Sequence, residues 1–329
     1  AGMLNGTENG RSSARVGFAW DRLMLSHQTE ETHPDQPRRL ELIRQALEEA
    51  DLPGELVRLP VMPASPEQIA RIHDPAYVDL VRLACEEGFR YVGGRETEVG
   101  PESYHAATLA CGAAISAGEA VLRGEVRRAF CAVRPPGHHA EHDHAMGFCL
   151  FNNVAVAAEA LVHERNVERV AIVDLDVHHG NGTQHAFEGR DDVLYISLHE
   201  FPGTLPYPGT GNAEERARGA GVGTTLNLTV EAGSGDEAYR TAFEEDLLPA
   251  VADFGPQFLL VSIGFDALET DLMAHLNLQP SSFRWMSRIL SETAERCCDG
   301  RLVCVLEGGS DLNRIGACAV EHVAGMVGE

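Results

Sequence analysis

Eight short runs of this chain are rich in β-branched and apolar residues, and several are apolar at every successive position. "RVAIVDLD" (169–176), "QFLLVSIGF" (257–265) and "RLVCVLEGG" (301–309) are the clearest. A strand with one wet face alternates apolar and polar residues. A strand buried on both faces does not, and that burial is the rule in parallel sheets. The other runs are "RVGFA" (15–19), "ELVRLP" (55–60), "RRAFCAV" (127–133), "DVLYISL" (192–198) and "GTTLNLTV" (223–230).

Between the runs lie helical patterns. "QPRRLELIRQALEEA" places Leu40, Ile43 and Leu47 on one helical face, and "SYHAATLACGAAISAGEAVLRG" is rich in small residues that permit close packing. Strands alternating with helices predict an α/β fold, a mainly parallel sheet with helices on both faces and right-handed crossovers. No repeat, low-complexity linker or compositional break divides the 329 residues. We expect a disordered tail over 1–14 and a single domain over 15–329. The tail lacks the basic start and apolar stretch of a signal peptide. No apolar run is expected to reach the length of a membrane span.

In open parallel sheets, ligands bind beyond the carboxyl ends of the strands. The polar clusters of this chain fall there. "RPPGHHAEHDHAMGF", "DLDVHHGNG", "SLHEFPG", "GFDALETD" and "EGGSDL" each follow a strand candidate. Five strand ends therefore converge on one rim.

Asp176 and His178 are two apart on an extended segment, so their side chains share a side. Asp266 ends another apolar run. Each acid alone would serve equally well as a helix cap or loop anchor. Together, the three form a zinc-type ligand set with one position left open. The tandem His138 and His139 suit proton transfer, and Asp174 and Asn181 are the partners available to orient them. One partner is charged and the other neutral, so the two imidazoles should titrate differently. His142 and His144 are read as loop residues.

The formal net charge of −24 argues against nucleic acid, which needs a basic surplus. It suits solubility, and it would also attract a cationic substrate such as a lysine-bearing peptide or a polyamine. The eight cysteines form no C-x-x-C pair, and several sit in apolar runs, which points to buried thiols in a reducing cytoplasm. The sequence leaves the choice between monomer and homo-oligomer open.

"RPPGHHAEHDHAMGFCLFNN", "VDLDVHHGNGTQ", "SLHEFPGTLPYPGTG" and "GFDA" closely resemble the zinc-dependent histone deacetylases, in particular the class II branch and its bacterial amidohydrolase relatives. The resemblance runs from about Arg15 to Met326. It implies the arginase-deacetylase fold and hydrolysis of acyl groups, most simply acetyl, from lysine side chains of a peptide or protein. It assigns zinc to Asp176, His178 and Asp266, the general-base role to His139, and supporting roles to His138, Asp174 and Asn181. Phe148 and Tyr207 match the walls of the acyl-lysine tunnel, and Gly147 lines it. One potassium ion would use Asp174, Ser197, Leu198 and main-chain carbonyls of Asp176 and His178. A second would fall near Phe187, Arg190 and Val193. An acid on the rim that grips the substrate backbone matches Glu98, or Glu96 beside it.

The chain departs from the family at Ser310, where most active members carry a tyrosine that donates to the developing oxyanion. Losing one such donor typically lowers the rate about a hundred- to a thousandfold. Three readings follow: an engineered substitution, a water standing in for the phenol, or a binder of acylated lysine that scarcely turns over. Met273 stands where polyamine-specific relatives carry glutamate, which leans away from acetylpolyamines. Gly180 and Leu268 replace the aspartates of binuclear manganese ureohydrolases, which excludes that reading.

Overall fold

The structure is a computed structural model that describes residues 15–327. The tail expected over 1–14 lies outside the described residues. Eight strands form one sheet: β1 (Arg15–Ala19), β2 (Glu55–Arg58), β3 (Arg128–Cys131), β4 (Val170–Asp174), β5 (Val193–Glu200), β6 (Thr225–Val230), β7 (Phe258–Ile263) and β8 (Leu302–Leu306). Their order across the sheet is β2-β1-β3-β8-β7-β4-β5-β6, and all seven pairings are parallel. Every strand candidate becomes a strand: β1 keeps its expected bounds, β5 runs two residues further towards the rim, and the others lose one to three residues at one or both ends.

Burial follows position. The inner strands β3, β4, β5, β7 and β8 are buried at every residue. The edge strands β2 and β6 are only partly covered. Helices Ser103–Leu122 and Asn153–Arg165 pack on each other and on the central strands. Helices Pro280–Cys298 and Ile315–Val327 pair with one another, meet β7 and β1, and are joined by Arg38–Glu49. These are the two helical layers the alternation implies.

One expectation is corrected. Helix Ser103–Leu122 is long and apolar enough to cross a membrane by length and composition, although no run was expected to be. Its alanines and glycines raise its hydropathy because it is a core helix, with 78% of the window inside the fold. A Cβ on Gly112 would stand 1.7 Å from the carbonyl oxygen of Met62, so only glycine permits this approach.

The four central strands, β3, β8, β7 and β4, all point their carboxyl ends at one rim. They are consecutive in space but far apart in sequence. The chain order reverses between them, as at the ligand crevices of open α/β sheets.

Candidate active site and metal centre

Asp176, His178 and Asp266 come together where β4 and β7 end. Their ligand atoms all lie within 4.8 Å of one another. His178 Nδ1 stands 3.2 Å from Asp176 Oδ1 and 3.3 Å from Asp266 Oδ2. Burial and the neighbouring Asp176 push the Asp266 carboxyl up to about 7. Two buried carboxylates and an imidazole set this close repel or trap protons unless a cation sits among them. The N/O donor set and the single open side fit a zinc ion.

The surroundings leave no space to spare. A Cβ on Gly308 would lie 2.4 Å from Asp266 Oδ2 and 2.7 Å from Asp176 Oδ2. The Gly308 N–H instead donates to Asp176 Oδ2 at 2.9 Å, and Val177 N donates to Asp266 Oδ1 at 3.1 Å.

The histidine pair sits on the loop after β3, with ring centroids 4.0 Å apart. His138 Nδ1 is 2.9 Å from Asp174 Oδ2, and His139 Nδ1 is 2.8 Å from Asn181 Oδ1. Asn181 Nδ2 donates to the His139 carbonyl at 3.1 Å. The amide oxygen therefore faces the ring, so His139 Nδ1 carries the proton and Nε2 is bare. Burial and the positive charges of His138 and His178 hold His139 well below the ordinary imidazole range. Burial opposes charge on His138 too, but Asp174 and Asp176 outweigh it and hold that group well above the range. The two imidazoles are separated as the sequence reading anticipates.

These groups line a cavity of about 350 Å³, with Gly147, Phe148, Tyr207, Met273 and Ser310 among its walls. Gly147 (φ 57°) and Phe148 (φ 68°) are both left-handed. A Cβ on Gly147 would lie 2.4 Å from the His139 ring, and the positive φ brings the chain past that imidazole. Tyr207 stacks edge-on against His139, with centroids 5.2 Å apart. Of the two rim acids, Glu96 lines the cavity. Glu98 does not: it is buried, accepts from Glu30 N at 2.7 Å and pairs with Arg90.

Ser310 reaches the cavity wall, but its hydroxyl donates to Asp271 Oδ1 at 2.9 Å, and its N–H donates to Asp271 Oδ2 at 2.6 Å. Asp174 and Ser197 are register partners on β4 and β5, with Leu198 next along. Phe187 and Arg190 share one turn, where Arg190 N donates to the Phe187 carbonyl at 3.0 Å, and Val193 opens β5 three residues on. The Arg190 guanidinium is engaged by Asp192 and Glu159.

Three features went unassigned from sequence. Glu307 directly follows β8, fully buried beside the histidine loop, and burial, with Asp174 adding to it and His138 opposing, pushes its carboxyl up to about 7. An acid closing an apolar run is the same signal that marks Asp266. Asp271 orients Ser310. Arg39, Asp35 and Arg134 form a buried ion network, of which Asp35 and Arg39 reach the cavity; Asp35 Oδ1 lies 2.6 Å from Arg39 Nη1 and 2.8 Å from Arg134 Nε.

A histone deacetylase domain profile matches residues 33–326. The chain belongs to the histone deacetylase family. The family's histone deacetylase-like amidohydrolase from Pseudomonas aeruginosa is 40% identical over 297 residues, covering 89% of this chain and 77% of that protein. A probable deacetylase from Archaeoglobus fulgidus is 38% identical, covering 89% and 81%. Histone deacetylase 15 from Arabidopsis thaliana is 37% identical across 98% of this chain but 58% of its own length. The crystal structure of an HDA15 HD domain superposes with a TM-score of 0.87 at 35% identity, covering 95% of this chain and 89% of that one.

The fold is thus the α/β architecture of the histone deacetylase family, and the chain is a hydrolase of that family. Gly180 bears on the excluded ureohydrolase reading. A Cβ there would lie 2.2 Å from Asp174 Oδ2, so an aspartate at this position has no room in the present arrangement.

Proposed function

We propose that this protein is a zinc-dependent amidohydrolase that removes acyl groups, most simply acetyl, from lysine side chains of peptides or proteins. The observation that carries the reading is the Asp176–His178–Asp266 triad at a cavity that also holds two differently partnered histidines. Asp176, His178 and Asp266 would hold the zinc, which when bound polarises the acyl carbonyl and activates a water. His139 accepts the water's proton at its bare Nε2. His138, charged through Asp174, keeps positive charge beside the reacting carbonyl. The water oxygen bonds to the acyl carbon, and the amide C–N bond breaks as the leaving amine takes the proton that His139 Nε2 had accepted, so that a free lysine amine and a carboxylic acid are the products.

Gly147, Phe148 and Tyr207 would enclose the lysine stem, and Glu96, which lines the cavity where Glu98 does not, would meet the substrate backbone at the rim. Apolar Met273 in the wall supports acyl-lysine over acylpolyamine. Potassium near Asp174, Ser197 and Leu198, and near Phe187, Arg190 and Val193, is part of the same reading. Eight thiols, none bonded to another, support a reducing cytoplasm.

Ser310 weakens turnover in this reading. Its hydroxyl proton is committed to Asp271, and the side chain is too short to take the place of a phenol. The test is turnover of a fluorogenic acyl-lysine panel by the zinc-loaded protein and by Ser310→Tyr. A large gain with tyrosine supports a deacetylase scaffold that Ser310 impairs. Equal, substantial turnover moves the oxyanion donor elsewhere. No turnover in either, with zinc bound, replaces the enzyme reading with an acyl-lysine binding module.

A further inference from the structure

We propose that Glu307 is the positioning residue of the histidine pair: its carboxylate holds the main chain at Gly137 and His138, and so sets where the two imidazoles stand relative to the metal ligands. The proposal rests on the functional reading above.

The main-chain connections carry it. Glu307 Oε2 accepts from Gly137 N at 2.7 Å and from His138 N at 3.1 Å. Oε1 accepts from Ser262 Oγ, on β7, at 2.8 Å. Pro135 and Pro136 have no N–H to offer, so Gly137 and His138 supply the first donors of the turn, and both go to one carboxylate. On its other side the His138 carbonyl accepts from Gly182 N at 3.0 Å and Thr183 N at 3.3 Å. The residue bearing the first imidazole is therefore gripped at both of its peptide groups.

Glu307 is itself fixed. Its N–H donates to the Ile263 carbonyl at 2.8 Å, and its carbonyl accepts from Arg39 Nη2 at 2.7 Å. The next residue, Gly308, donates to the metal ligand Asp176. One dipeptide thus holds the histidine loop with its first residue and a zinc ligand with its second. The spacing between the proton-transfer groups and the metal is set at Glu307–Gly308. A carboxylate with no exposure to solvent is costly to bury, and this one has backbone amides and a hydroxyl as its hydrogen-bond donors.

The experiment compares Glu307→Ala and Glu307→Gln, zinc-loaded, in the native chain and with Ser310→Tyr. Zinc content, thermal melting, kcat and KM are measured, together with the proton resonance of His138 Nδ1–H and exchange of the Gly137 and His138 amides. In Glu307→Ala we expect one zinc per chain, KM little changed, and kcat lower by about a hundredfold, the scale of an ångström's misplacement. The His138 resonance shifts, and both amides lose protection. Glu307→Gln can turn its amide oxygen to the two N–H groups and donate to Ser262 Oγ, so it should bring kcat and the resonance back to within about threefold and near the parent value.

A folded, zinc-loaded Glu307→Ala with unchanged kcat overturns the proposal. So does a failure of Glu307→Gln to restore function, which would make the charge the requirement rather than the position. If neither the parent nor Ser310→Tyr turns over any acyl-lysine, the functional reading fails separately. The His138 resonance and amide exchange then decide: shifted in alanine and restored in glutamine supports positioning, and unmoved in alanine refutes it.

Discussion

The hydroxyl of Ser310 donates to Asp271 Oδ1 at 2.9 Å, and the same carboxylate takes the Ser310 and Met273 N–H groups. The side chain at this position is therefore tied to the segment that follows β7. Ser310→Tyr should raise kcat about a hundred- to a thousandfold, because a phenol restores an oxyanion donor. Steady-state kinetics on an acetyl-lysine peptide at saturating zinc checks this. A lower KM with unchanged kcat would show that the phenol acts in binding instead.

Asp176 and Asp266 repel one another when no cation lies between them. Asp266→Asn should abolish stoichiometric zinc binding and turnover. It should also raise the melting temperature of the metal-free protein, by roughly 2 °C or more. Calorimetry with and without a chelator tests both halves. A drop in the metal-free melting temperature would mean that the Asp266 charge is held by something other than the cation.

Asp35 pairs with two fully buried guanidiniums, Arg39 and Arg134. Asp35→Ala removes the carboxylate paired with both in the core, and the expected loss is about 3–5 kcal/mol. Denaturant unfolding of the metal-free protein measures it. Replacing an exposed partner such as Glu55, paired with Arg15 at the surface, should change stability by under about 1 kcal/mol.

His322 lies in the core against Phe130 and Phe265, with Nε2 unpartnered, and burial lowers its pKa to about 3. The folded protein keeps it neutral while the unfolded chain takes up a proton below about 6.5. Stability from this group is therefore complete above 6.5 and is lost as pH falls towards 3. His322→Leu should flatten the decline between pH 7.5 and 5.5 by about 1 kcal/mol. Ser287 keeps its bond to the Phe283 carbonyl in the variant. An unchanged slope would refute the assignment.

The strands and the Asp176–His178–Asp266 cluster were legible in sequence for one reason. A strand buried on both faces is apolar throughout, so an acid or histidine at its end stands out, as Asp176 and Asp266 do. The ion network of Asp35, Arg39 and Arg134 gave no such signal. Its members come from segments about a hundred residues apart, and nothing local tells a buried arginine from a surface one. Glu96 and Glu98 would share a side on an extended strand. The chain turns there instead, with only a single bridge between Tyr91 and Glu98, so the two acids part. Glu307 carried the same signal as Asp266 and lacked only a partner to name.

The place of β8 in the sheet bears on how the chain is made. This strand, the last of the eight among the described residues, lies between β3 and β7 and joins both halves. A nascent chain that has not yet emerged past residue 306 has two part-sheets with raw, facing edges and no Glu307–Gly308 to link histidines and metal ligands. Unpaired edges of that kind invite wrong partners. The site cannot exist until synthesis has passed residue 308, so a truncation that removes β8 and helix Ile315–Val327 should leave a chain prone to aggregate rather than a smaller working enzyme.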